Sequence, residues 1–431
     1  MLQASETTGP ALATRSTASG RLALALVISL FFLWGVANNL NDVLVAHFKQ
    51  VFTLSDLQAG LVQSAFYLGY FLVAVPAGLF MRRFGYKGAI VFGLLLYGIG
   101  ALLFWPAAAS VKYGNFLLAL FVIAAGLAFL ETSANPFVTL LGPAESAAAR
   151  LNLAQAFNPL GSITGVLIGQ FFIFSGTERT PAQLAAVSAA DRHAYAVAEA
   201  AAVQWPYLVI GLVVIGWAVL IAITRFPSAK RPAVGDAAHA SVPVRLLRDA
   251  RFMAAVAAQF FYVGAQVSVW SFLIRYVQAT MPGTTARLAA NFLTASLVCF
   301  MVGRFAGAAL MKYVRPARLL AAFALINIVL TVVAVCLPGA IGVYALVACS
   351  FFMSVMYPTI FAIGVQGRDD NERKFGASVL VMAIIGGAVL TAAMGAASDL
   401  AGIAHAMLVP AVCFVLILLF AVRHVRQGDR A

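Results

Sequence analysis

Apolar runs of about twenty residues, following one another with only short charged or turn-forming stretches between them, constrain this chain more than any other feature. A helix of that length matches the ~30 Å hydrocarbon core of a bilayer, and within lipid a single segment satisfies all its backbone polar groups only as a helix. The runs number twelve, over 22–48, 59–81, 88–107, 116–141, 152–174, 205–225, 253–276, 289–311, 317–337, 341–365, 376–398 and 406–422. Only 10% of the residues are charged and 63% are hydrophobic, against about 25% charged in soluble domains. The expected fold is an all-α polytopic membrane protein of twelve transmembrane helices.

Charge gives the orientation. With both termini placed inside, 22 of the 28 Lys and Arg residues, Arg304 counted among them, fall on the inner side. The other six are Lys49, Lys112, Arg179, Arg192, Arg275 and Arg287. The positive-inside rule then makes the termini cytoplasmic. The net charge of +13 is topological, because the basic residues are spread over short loops and not gathered as a nucleic-acid-binding face. Residues 1–21 and 423–431 read as cytoplasmic tails, the former without a cleavage site that would mark a signal peptide. All four cysteines lie in apolar runs and are expected to pack there, so neither a disulfide nor a metal cluster is expected.

The Pro- and Arg-containing stretch 226–252 reads as a cytoplasmic linker between six-helix halves at 22–225 and 253–422. Weak internal similarity supports two pseudo-symmetric bundles. Pro136 and Gly142 in span four match Pro358 and Gly364 in span ten in spacing, and Gly78 to Lys87 has a counterpart in Gly307 to Arg318. Related halves enclosing a mid-membrane site are a common transporter design. The Ala-rich segment 175–203 suggests a short helix and no chemistry.

Against this background the buried polar residues stand out. Glu131 is the only ionisable residue between Phe116 and Leu141. A mid-membrane carboxylate costs at least ~2.5 kcal/mol, so it normally faces a cavity or a water path. Asn135 lies one turn along, and Pro136 removes a backbone donor and predicts a bend. Asp42 shares a face of span one with Trp34 and Asn38, beside Asn41. With no intramembrane Lys or Arg expected as counter-ion, both acids suit proton handling. Gln155 and Asn158 in span five, with Ser162 and Pro159, and Gln259, Tyr262, Gln266 and Trp270 in span seven recur at helical spacing. Asn291 and Tyr357 add polar groups from spans eight and ten. Amides and aromatic rings suit a neutral polyhydroxylated ligand and suit an ion poorly. Interhelical hydrogen bonding and packing remain the plainer alternative for each of these residues. No metalloprotease, nucleophile-elbow or Walker A pattern is present, so neither an enzyme nor an ATP-driven pump is expected.

The stretches Phe31–Leu44, Gln58–Gly78, Glu131–Pro143, Leu151–Asn158, Gln259–Tyr276 and Tyr357–Phe361 together resemble the fucose:proton symporter branch of the major facilitator superfamily, over nearly the full length. The resemblance implies proton-coupled import of L-fucose or a related neutral hexose by alternating access across a bacterial inner membrane. It implies no cofactor beyond the coupling proton, no nucleic-acid partner, and a monomer in the bilayer. It places proton coupling on Asp42 and Glu131. Beside them it places Gln155 and Asn158, and with the residue patterns above the expected sugar contacts are Asn38, Asn39, Glu131, Gln155, Asn158, Gln259, Tyr262, Gln266 and Tyr357. Two departures matter. Arg82 stands where the superfamily's loop after span two usually has an acid, which puts the usual gating ion pair in question. Glucose and galactose relatives tend to carry Gln at the position of Glu131, which favours fucose here. A glucose/galactose symporter and a proton-driven exporter of amphipathic compounds are the alternatives.

Overall fold

The computed structural model describes residues 22–37, 56–168, 172, 188–224, 242–284 and 286–428. Asn38, Asn39, Asn41 and Asp42 lie outside the described residues, as do the N-terminal tail and most of the inter-half stretch. All the runs read from the sequence appear as helix within what is described. Span one is seen over Leu22–Ala37. Spans two and three form one helical stretch, Asp56–Leu102, extended by Phe104–Ser110. The turn between them is made at Gly85, whose φ of 77° and ψ of 175° are accessible essentially to glycine alone.

Span four, Tyr113–Leu140, is helical through Pro136. Span five is Ala147–Gln155 followed by Phe157–Ile168, and span six is Gln204–Ile223. The second half runs Ala250–Thr280, Ala286–Leu310, Pro316–Cys336, Ala340–Met353 with Met356–Val365, Asp370–Met382 with Gly386–Ala401, and Ile403–Ala406 with Leu408–Gly428. The fold is the expected all-α arrangement of two six-helix bundles. The stretch read as linker is helical over Val242–Arg248, the last helix continues to Gly428, and the segment before span six contains a short helix, as expected, at Ala189–Ala202, capped by Ser188.

Within the first bundle, spans one and five meet backbone to backbone. A Cβ at Gly161 would stand 1.9 Å from the Phe32 carbonyl oxygen, and one at Gly35 would stand 2.0 Å from that of Asn158. Small residues let helices approach this closely in lipid, where packing replaces the hydrophobic effect as the driving force. Large side chains on the outer faces, such as Leu72, Leu212, Ile223 and Leu419, are exposed, as a lipid-facing surface requires. The cysteines divide accordingly: Cys349 and Cys413 are buried, Cys299 is intermediate and Cys336 is exposed. The expectation that all four pack inside is corrected, because an apolar run has a lipid face as well as a packed one.

At the end carrying the basic loops, the two bundles are in contact. The Tyr86 hydroxyl donates to Asp370 at 3.0 Å. Lys374 pairs with Asp370 at 2.6 Å and places its ammonium 5.1 Å from the centre of the Tyr86 ring. Next to them Arg368 pairs with Asp249 at 2.8 Å, and Arg245 with Glu372 at 2.7 Å. Asp370 of the second half supplies the carboxylate that Tyr86 of the first half meets across the interface.

Candidate functional site

Further into the membrane the interface becomes a buried polar cluster. Span four places Glu131 there, 1% exposed. Tyr357 of span ten donates its hydroxyl to Glu131 Oε1, which joins the two bundles directly. The other carboxylate oxygen, Oε2, has no hydrogen-bond partner. Gln259 of span seven is fully buried beside the Tyr357 hydroxyl, with both its amide oxygen and nitrogen unpartnered. The Tyr262 ring lies 6.2 Å from that of Tyr357, and its hydroxyl is also unpartnered. From the first bundle, Tyr70 comes within electrostatic reach of Glu131 and stands beside Trp34. The Tyr70 hydroxyl, Trp34 Nε1 and Asn135 Nδ2 add three more unpartnered polar atoms. A cluster so rich in unsatisfied donors and acceptors is expensive to maintain in a dry core. Such atoms can offer hydrogen bonds to a polar molecule that enters the cluster.

A cation is also present. Arg304 sits inside the helix Ala286–Leu310, 6% exposed. This corrects the expectation of no intramembrane Lys or Arg: Arg304, counted on the inner side, is a basic side chain inside the membrane. Its guanidinium interacts electrostatically with Glu131 and Tyr357 and lies beside Tyr262. It donates through Nη1 to the Gln155 carbonyl at 2.7 Å and to Gln155 Oε1 at 3.1 Å, and through Nε to the Ser354 carbonyl at 3.0 Å. The charge can stay buried because carbonyl dipoles and the Phe300 ring, 4.8 Å away, replace its hydration. The signal was visible in the sequence, since position 304 falls well inside span eight at 289–311.

The remaining expected residues separate by what their side chains already do. Gln155 donates to Asn135 Oδ1 at 3.0 Å while its oxygen is held by Arg304, so it organises the cluster more than it offers free groups to it. Asn158 donates to the Phe31 carbonyl at 3.3 Å and ties span five to span one. Gln266, two turns beyond Gln259, is half-buried. Trp270 donates to Ser350 at 3.0 Å and packs on Phe300, both within the second half. Sequence reasoning did not single out Tyr70 or Asn152. Asn152 bonds Thr359 Oγ1 across the interface at 3.2 Å, one turn from Gln155 toward the basic end. Each lies in a stretch that carried the family resemblance, yet its burial could not be read from spacing.

Two bundles of membrane-spanning helices with a polar, carboxylate-bearing centre between them define the architecture of a secondary transporter. The chain belongs to the Major Facilitator Superfamily, whose family model matches residues 22–392. It is 48% identical to the L-fucose-proton symporter of Escherichia coli over 92% of both chains. It is 37% identical to the glucose/galactose transporter of Brucella abortus over 94% of both. Its structure matches the crystal structure of FucP in the outward conformation with a TM-score of 0.88 at 48% identity, covering 94% of this chain and 98% of that one.

Proposed function

We propose that this chain imports L-fucose, or a closely related neutral hexose, together with a proton by alternating access. It is read as a monomer in the bacterial inner membrane, with both termini and the 226–252 stretch cytoplasmic. No cofactor takes part, and the proton is the coupling ion. The observation that carries this reading is the buried set of under-satisfied polar atoms around Glu131: one carboxylate oxygen, the Gln259 amide beside Tyr357, the Tyr262 hydroxyl beside Arg304 and the Tyr70 hydroxyl beside Trp34. They mix donors with acceptors, as a ring of sugar hydroxyls requires. The tyrosine and tryptophan rings beside them suit the C–H faces of a hexose. A large amphipathic drug would need apolar volume there, which speaks against the exporter reading. The similarity to the L-fucose-proton symporter supports the same sugar, and Glu131 favours it over glucose or galactose.

Asp42 carries the proton in this reading, Asn38 and Asn39 contribute to the sugar site beside it, and Glu131 serves mainly in binding. One proton per sugar is sufficient. A potential near 100 mV supplies about 2.3 kcal/mol per charge and one pH unit about 1.4 kcal/mol. The total of roughly 3.7 kcal/mol sustains accumulation of several hundredfold. Adding L-fucose, D-arabinose, L-galactose, D-glucose and D-galactose in turn to lightly buffered cells tests the assignment. Alkalinisation is expected with L-fucose and its near relatives; a response to D-glucose alone would transfer the chain to the glucose/galactose class. In proteoliposomes Asp42→Asn is expected to keep sugar-for-sugar exchange and lose uphill uptake, because it mimics a permanently protonated carrier. Retained alkalinisation in that variant would move coupling to Glu131.

A further inference from the structure

Two prolines on opposite sides of the bundle interface each leave a main-chain carbonyl without its helical donor, and one side chain takes both. A proline at position i lacks the N–H that would bond the carbonyl of residue i−4. Pro159 thereby frees the carbonyl of Gln155, where span five is interrupted at Ala156. Pro358 frees the carbonyl of Ser354, where span ten is interrupted between Met353 and Met356. Arg304 donates to the first at 2.7 Å and to the second at 3.0 Å. Gln155 belongs to the first bundle, whereas Arg304 and Ser354 belong to the second.

The depth of this contact matters. Gln155 ends a helix that starts at Ala147, so it stands roughly 12 Å along that helix axis from the basic end. Asn152, one turn nearer that end, makes its own bond across the interface to Thr359. Glu131 stands nine residues before Leu140 and Tyr357 eight before Val365, again roughly 12–14 Å from the basic end, so the Arg304 contact lies at the depth of the Glu131–Tyr357 pair, with the Asn152–Thr359 bond beneath both.

We propose that Arg304 is a positioning residue of the transport cycle, a latch that holds the bundles together beside the Glu131 cluster and must release Gln155 before the site opens toward the basic end. Its bond to Ser354 lies within one bundle and can persist through the movement. Its bonds to Gln155 span the interface and cannot. Proline makes the exchange feasible: the Gln155 carbonyl has no helical partner to return to, so water entering the opened side can satisfy it, and Arg304 can reclaim it on closure. The same bonds fix the Gln155 amide with its nitrogen toward Asn135, so the latch also orients the polar cluster. The inference rests on the sugar-transport reading only for the identity of the cargo.

The test is a distance measurement in the full-length protein without sugar. Spin labels are placed on cysteines introduced at the exposed positions Glu145 and Tyr313, one on each bundle at the basic end, with the four native cysteines replaced by alanine. The parent is expected to give one dominant short distance by double electron–electron resonance. Arg304→Met should add a longer population, raising the open-to-closed ratio about tenfold or more. Arg304→Lys and Gln155→Leu should each produce a smaller shift, because the lysine can still reach one carbonyl and the Gln155 main chain survives the second change. Unchanged distances in a folded Arg304→Met protein would overturn the latch, as would equal shifts in the Lys and Met variants with none in Gln155→Leu. If Arg304→Met does not fold, Gln155→Leu decides alone, and an unshifted distribution there rejects the proposal. Calorimetry with L-fucose on the parent separates the two ideas: absence of binding counts against the cargo and leaves the distances to judge the latch.

Discussion

At the scale of single residues, the decisive contrast is between polar atoms that are spent and polar atoms that are free. Asn158 and Gln155 have committed groups, to the Phe31 carbonyl and to Asn135 and Arg304 respectively, whereas Glu131 Oε2 and the whole Gln259 amide do not. Glu131→Gln is therefore expected to weaken L-fucose binding tenfold to a hundredfold, the loss of one charge-assisted acceptor worth about 1.5–3 kcal/mol, with the protein still folded. Calorimetry at neutral pH checks this, and unchanged affinity would mean that the carboxylate does not touch the sugar. Glu131 itself was legible from sequence, because a lone acid in a 26-residue apolar stretch has few other uses. Arg304 was not read correctly. A guanidinium is normally assigned to water, and its place in the membrane is explained by its capture by two proline-freed carbonyls, with the Phe300 ring and Glu131 nearby.

At the scale of elements, helix boundaries followed from the residues that break helices, but the contacts at those boundaries did not. Gly85 ends span two with a backbone conformation other residues avoid, and a Cβ there meets nothing within 4 Å. Gly85→Ala should thus cost only the backbone strain, about 1–3 kcal/mol, visible as a lower Tm without loss of binding. Gly161→Val is a different case, since its Cβ would collide with the Phe32 carbonyl; spans one and five must separate, and the expected result is little folded protein on size-exclusion chromatography. Span seven begins at Asp249, which accepts from the Arg251 amide at 2.8 Å and pairs with Arg368. The Arg368 hydrogen bond, set against partial desolvation and aided by the Arg251 amide, holds this carboxyl below its ordinary value. A lowered folded-state pKa stabilises above the unfolded value of about 3.9 and is lost as pH falls through the folded one. The Tm difference between the protein and Asp249→Asn should stay constant from neutral pH to about 5 and narrow below about 4. A constant difference down to pH 3 would show that the pair contributes nothing through its charge.

At the scale of the whole molecule, the bundles are held together at three depths: Glu131 to Tyr357 with Arg304 to Gln155, then Asn152 to Thr359, and then Tyr86 to Asp370. Lys374 completes the last by covering the Tyr86 ring and neutralising Asp370, so Lys374→Met should loosen the basic end. Hydrogen exchange over residues 78–90 and 370–378 is expected to quicken in that variant, and unchanged exchange would leave closure to the deeper contacts. The residues alone determined that this chain crosses a membrane many times in two related halves, because bilayer thickness and backbone hydrogen bonding admit no other use of such runs. They also located Glu131, since a carboxylate is costly in lipid wherever the rest of the chain goes. Only the tertiary structure decided which bundle face meets which, that Tyr86 meets Asp370, and that Arg304 binds Gln155. Those pairings join residues more than a hundred positions apart, and helical periodicity specifies the face of one helix without specifying its partner.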